Sequence, residues 1–171
     1  MSTLEITARR RSGAPALEVT KILSSAGVED HGAALLVITP GAYKVDSPPH
    51  EERVLWVVSG RLLQRASLRA TDSARVRLPI VDCAFSVVIV HRFLRPGVDV
   101  VPLLEEALRV LAPEGRLVVV TQLADLESAP LPRGAHAQLT QRALRSIGVT
   151  NARFVDVGTS VIAVAGRPSM R

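Results

Sequence analysis

The stretch Leu103-Leu104-Glu105-Glu106-Ala107-Leu108-Arg109-Val110-Leu111-Ala112-Pro113-Glu114-Gly115-Arg116-Leu117 changes period part-way, and that change decides the fold. Over residues 102–111, Leu103, Leu104, Ala107, Leu108 and Leu111 recur at helical spacing, with Glu105, Glu106 and Arg109 on the outward face. Pro113-Glu114-Gly115 then turns the chain. Leu117 to Thr121 is a continuous apolar run, the pattern of a strand buried on both faces of a parallel sheet.

Working outward, three more apolar runs read as buried strands: Ala34 to Ile38, closed by Thr39-Pro40-Gly41, then Val54 to Val58, then Phe85 to Val90. Helices are expected over 15–26, with Pro15 in the first turn and Gly27 at the end, over 62–68, and over 135–147 before Gly148. Residues 46–50 form a loop, because no helix keeps its hydrogen bonds through Pro48 and Pro49. Arg75 to Ile80 reads as a short strand or an extended loop, and 123–134 as a long loop. Arg153 to Val157 and Ser160 to Ala165 flank Gly158-Thr159, a hairpin signal. Strands that alternate with helices imply an α/β fold: a doubly wound, mostly parallel sheet ending in an antiparallel hairpin. One domain over 14–171, after a flexible basic arm at 1–13, accounts for the whole chain.

Composition narrows the class. The chain has 171 residues, 47% apolar and 22% charged, which fits one soluble globular domain rather than a disordered chain. No apolar stretch approaches the ~18–20 residues of a spanning helix. The single cysteine, Cys83, excludes a disulfide scaffold and a cysteine-built metal site. A reducing, cytoplasmic compartment is the default. The net charge is +5, and Lys21 and Lys44 are the only lysines among 21 basic side chains. The arginines are dispersed apart from Arg9, Arg10 and Arg11, and aromatics are only 3%, so a nucleic-acid surface is not expected.

The order of elements and two local stretches resemble the class I S-adenosylmethionine-dependent methyltransferases. Leu78 to Val88 is similar to the family's loop and fourth strand, Leu103 to Leu117 to its helix, turn and fifth strand, and Gly148 to Gly166 to its closing hairpin. The resemblance implies a Rossmann-like fold, here truncated near strand one. It also implies a cofactor site that this chain does not spell out. Of the family's glycine-rich loop only Gly41 remains, a degenerate position within Leu35-Leu36-Val37-Ile38-Thr39-Pro40-Gly41-Ala42-Tyr43. Val37 stands where an acid is usual, and Thr39 and Tyr43 stand where two glycines are usual. Strand two ends Val57-Val58-Ser59 without its acid, and Arg75, Val76 and Arg77 replace the acid near the adenine.

Arg53 to Gln64, Ala84 to Gly97 and Leu103 to Gly115 are also similar to the N-terminal domain of the anamorsin family, cytosolic iron–sulfur cluster assembly factors. That resemblance implies a non-catalytic scaffold with no cofactor of its own. Iron–sulfur clusters would belong to a C-terminal region absent here. The partners implied are proteins, an NADPH-dependent diflavin reductase among them, without membrane or nucleic acid. The alternative is a divergent but active methyltransferase that binds S-adenosylmethionine and acts on a small molecule.

The residues assign no catalytic group and no metal ligand. His31, His50, His91 and His136 have no metal-ligand spacing. His91 follows strand four, at the end where substrates of such sheets bind, and is the one candidate base. Cys83 is expected to be a packed thiol and Trp56 a core residue. Asp82, Asp99, Glu105 and Glu106 are read as surface carboxylates. Arg92, Arg95, Arg109 and Arg116 are read as a solvated basic face, with docking of an acidic partner as the functional alternative.

Overall fold

A computed structural model of the protein describes residues 16–17, 19–28, 34–39, 44–45, 55–59, 77–91, 99–122, 133–158 and 160–167. The basic arm at 1–13, the double proline, the helix expected over 62–68 and the loop at 123–132 lie outside them. In chain order the elements are β1 (Ala16–Leu17), α1 (Val19–Ala26), β2 (Leu35–Thr39), β3 (Lys44–Val45), β4 (Leu55–Ser59) and β5 (Phe85–His91). They continue with α2 (Val101–Val110), β6 (Leu111–Gln122), α3 (Arg133–Ser146), β7 (Arg153–Val157) and β8 (Ser160–Gly166).

Six strands form one sheet in the order β4-β2-β5-β6-β8-β7. The first four are mutually parallel, and β8 runs antiparallel between β6 and β7. The expected doubly wound sheet with a terminal hairpin is therefore present. Ala16-Leu17 pairs in parallel with Lys44-Val45 in a separate two-stranded ribbon, so the first helix begins at Val19 and not at residue 15. Among residues 77–80 no strand forms.

Strand alternation divides the core in two. Leu36, Ile38, Val88, Val90, Leu117, Val119 and Ala163 face α2 and α3, against Leu103, Leu104, Ala107, Val110 and Leu144. Leu35, Val37, Val87, Ile89, Val118, Val120 and Ile162 face α1, against Val19, Leu23 and Ala26. A sheet covered on both faces needs apolar residues at every position, and that is why these strands are unbroken runs.

Two helices end alike. Gly27 and Gly148 take left-handed backbone, φ +59° and +81°. The next residue, Val28 or Val149, returns its N–H to the carbonyl of Leu23 or Leu144 at 3.0 and 2.9 Å. This is the glycine-terminated helix end with its apolar follower, buried at Val149 and half-buried at Val28. The Arg153 guanidinium, from the start of β7, also donates to the Ala26 carbonyl, placing a cation at the carboxyl end of α1.

Residue pairing explains the turn expected at 113–115. Phe85 pairs with Leu111 and Val87 with Arg116, so Ala112 to Gly115 stand opposite Ser86 alone. The turn is a bulge inside β6 rather than a loop before it. Gly115 is held there by space: a Cβ would meet Leu111 Cδ1 at 2.6 Å and the Ala112 carbonyl oxygen at 2.9 Å.

Glu106 corrects the reading of α2. It does not face out; it is 6% exposed. Its Oε1 accepts the Leu78 N–H at 2.6 Å, and its two oxygens take the Arg109 Nη2 and Nε donors at 2.6 and 2.8 Å. Arg109 also donates to Asp82 and, at 3.2 Å, to the Leu78 carbonyl. The Arg109 carbonyl in turn accepts the Cys83 N–H at 3.0 Å. The bonds to Glu106, working against the cost of burial and joined by Asp82, hold this guanidinium protonated well above its ordinary range. The cluster fixes the segment that feeds β5 onto α2.

Removing one member leaves a buried charge unpaired, so Arg109→Met lowers unfolding free energy by about 3 kcal/mol in urea titration, while Arg142→Met on the exposed face of α3 changes it by less than about 0.5 kcal/mol. Gly115→Ala costs about 1–3 kcal/mol through overpacking in the same assay. Gly134→Ala, in α3 with open space where its Cβ would stand, adds up to about 1 kcal/mol.

Candidate functional site

The strand order reverses between β2 and β5: β4 lies outside β2 on one side, and β6 follows β5 on the other. In open parallel sheets ligands bind outside the carboxyl ends of the strands at such a switch point. Thr39 ends β2 and His91 ends β5. The register places Thr39 beside Ser59, and His91 beside Val120. Ile38 pairs with Val90, so Thr39 and His91 are the next step along adjacent strands.

Buried polar side chains concentrate at this end. Among the described residues they are Thr39, His91, Thr121, His136 and Thr140, with Glu106 in the ion-pair cluster described above. Thr39 is fully buried, and its Oγ1 has no hydrogen-bond partner. His91 is 6% exposed. On the α3 side, Thr121 Oγ1 lies 3.2 Å from Thr140 Oγ1, which donates to the His136 carbonyl at 2.9 Å. His136 is 1% exposed, and its Nδ1 has no partner. A buried polar atom without a partner costs about 1–3 kcal/mol, a cost that a hydrogen bond from a bound ligand would remove at either position.

Val37, one residue pair back from Thr39, belongs to the apolar cluster under α1 with Val19 and Leu23. A carboxylate there would be surrounded by hydrocarbon, which accounts for valine at a position where the resemblance leads one to look for an acid.

The other sequence candidates scatter. Gly41, Tyr43, Arg75, Val76, Arg92, Arg95, His31 and His50 lie outside the described residues. Trp56 sits on β4 opposite Leu36. Cys83 is not a packed thiol: it is exposed, adopts φ 57°, and its Sγ lies 2.9 Å from Arg167 Nη1. Asp82 is in the Arg109 cluster, and Asp99 Oδ1 accepts the Val101 N–H at 3.0 Å at the start of α2. Glu105 and Arg116 are exposed. Arg109 is committed to its ion pairs, so the basic face read from the sequence loses it. Among the described residues no group of three His, Cys, Asp or Glu side chains is placed to hold a metal ion, and no helix is long and apolar enough to cross a membrane.

Sequence reasoning missed Thr39 as a polar contact, and missed Thr121, Thr140 and His136 as a group. The available signal was a threonine closing each of two apolar runs, Leu35 to Thr39 and Leu117 to Thr121.

No family model matches the chain, and no curated protein matches it. Solved structures do. An S-adenosylmethionine-dependent methyltransferase from Aquifex aeolicus superposes with a TM-score of 0.59 at 15% identity, covering 86% of this chain and 88% of that one. A 16S rRNA methyltransferase from T. thermophilus, in complex with AdoMet and guanosine, gives 0.52 at 18% identity, covering 86% of this chain and 38% of that one. A 16S rRNA adenine-N1 methyltransferase from Catenulisporales acidiphilia gives 0.51 at 13% identity, covering 91% and 93%.

These neighbours overturn the expectation that the chain takes no cofactor: they are methyltransferases, one of them solved with AdoMet. The expectation failed because it counted missing acids. It did not see the unpartnered hydroxyl that the sheet buries at the end of β2. None of these three neighbours points to the anamorsin family. In strand order, parallel core and antiparallel penultimate strand, the chain has the Rossmann-like fold of the class I S-adenosylmethionine-dependent methyltransferases.

Proposed function

We propose that the chain binds S-adenosylmethionine in the crevice between the carboxyl ends of β2 and β5 and methylates a small-molecule acceptor. The observation that carries this reading is the buried, unpartnered Thr39 Oγ1 at the topological switch point, one strand from His91. Neighbours of the same fold that are S-adenosylmethionine-dependent enzymes support the choice of cofactor.

The residues present fit the group through neutral hydrogen bonds and not through carboxylates. Thr39 supplies one hydroxyl as donor or acceptor. His91, at the end of the neighbouring strand, lines the crevice where a methyl acceptor enters and orients it. Burial at this edge excludes water, which strengthens each polar contact. When bound, the cofactor supplies a sulfonium methyl group to a nucleophilic atom. The arginines of the sequence are dispersed and aromatics are only 3%, so a small acceptor fits better than a polynucleotide.

Calorimetric titration with S-adenosylmethionine and S-adenosylhomocysteine is expected to give micromolar dissociation constants, about −8 kcal/mol. Absence of heat at millimolar ligand with a cooperatively folded protein would refute the reading. Thr39→Val is expected to weaken binding about tenfold, the worth of one hydrogen bond. The same substitution removes an unsatisfied buried hydroxyl, so the ligand-free protein becomes more stable by about 1 kcal/mol in thermal unfolding. Weaker binding together with a higher Tm separates loss of a ligand contact from general damage.

A further inference from the structure

The Thr121–Thr140–His136 group lies across the sheet from Thr39. Val119 and Thr121 face α3, whereas Val37 and Thr39 follow the alternation that faces α1. Thr140 meets Thr121 near the end of β6. His136 is four residues earlier on the same face of α3, which returns antiparallel to β6, so it stands one turn, about 5.4 Å, further toward the carboxyl edge. Imidazole and hydroxyls therefore form one buried polar wall near the carboxyl edge, on the α3 face of the sheet.

Protons in this wall have a fixed direction. The Thr140 hydroxyl has one proton and gives it to the His136 carbonyl. Thr121 must then be the donor in its bond to Thr140. Thr121 Oγ1 is left with lone pairs only. With the Nε2–H tautomer, the unpartnered His136 Nδ1 is a second lone pair in the same wall.

We propose that this wall is the acceptor subsite, that His136 is its specificity-determining residue, and that it selects methyl acceptors carrying an O–H or N–H donor. The proposal rests on the reading of the crevice as a methyl-transfer site and names the substrate class of that site. A substrate donor satisfies Nδ1. A molecule of the same shape without the donor leaves it buried and unpaired, the arrangement that discriminates most strongly between otherwise similar ligands.

The test uses the full chain labelled with 15N at histidine. It is titrated with two matched probe pairs, phenol against anisole and aniline against N,N-dimethylaniline, with and without S-adenosylhomocysteine. The donor member of a pair is expected to move the His136 Nδ1 resonance and to bind at least about tenfold tighter than its methylated counterpart. His136→Phe is expected to abolish that preference while the affinity for S-adenosylhomocysteine stays within about twofold. His136→Asn, whose amide oxygen reaches the place of Nδ1, is expected to keep it, and it carries the decision with the native chain if the Phe variant does not fold. Equal binding within both pairs, no movement of the resonance with any probe, or a preference that survives His136→Phe overturns the proposal. A native chain that ignores S-adenosylhomocysteine but separates phenol from anisole through His136 would sink the cofactor reading and leave the donor-selective site standing.

Discussion

Parallel pairing of β2 with β5 is the constraint from which the rest of the molecule follows. Leu35 to Ile38 lie beside Val87 to Val90, fully or almost fully buried. Two parallel neighbours cannot be joined by a tight turn, and the sheet they build is covered by α1 on one face and by α2 and α3 on the other. The same pairing sets the place where strand order reverses. Core and crevice are two results of one register: apolar side chains fill the interior rows, and the first polar row, Thr39 and His91, falls at the carboxyl edge.

The four central strands were legible because burial on both faces removes polar residues from them. An unbroken run such as Phe85 to Val90 has few other uses in a chain of this composition. Gly27 and Gly148 were legible as helix ends, since positive φ is the conformation that glycine adopts most readily. The bulge at Ala112 to Gly115 was legible only as a turn, because pairing with Phe85 and Val87 is long-range information. Glu106 misled for a related reason. Helical periodicity placed it outward, and only the Leu78 N–H and the Arg109 guanidinium make its burial tolerable.

The site was harder to read than the fold. Pattern matching weighs charged and glycine positions, and at those positions Val37 and Thr39 look like losses. The structure assigns them different roles: Val37 completes the core under α1, and Thr39 offers a hydroxyl. The Thr121–Thr140 contact joins residues 19 apart in the chain. Its proton direction follows from the back-bond of Thr140 to the carbonyl four residues earlier in α3, whereas the contact with Thr121 is long-range information. Cys83 illustrates the opposite error, since proximity to a strand implied packing, whereas left-handed backbone and Arg167 keep the thiol at the surface.

The position of β8 has a consequence for how the molecule is made. It lies between β6 and β7 although it leaves the ribosome after both. Until residues 160–166 emerge, β6 keeps a row of unpaired amides and carbonyls along Arg116 to Gln122, and β7 has no neighbour in the sheet. Such an edge is an open template for another nascent chain. β8 thus joins a hairpin partner to a waiting edge, and these three strands come together only once residues 160–166 have emerged.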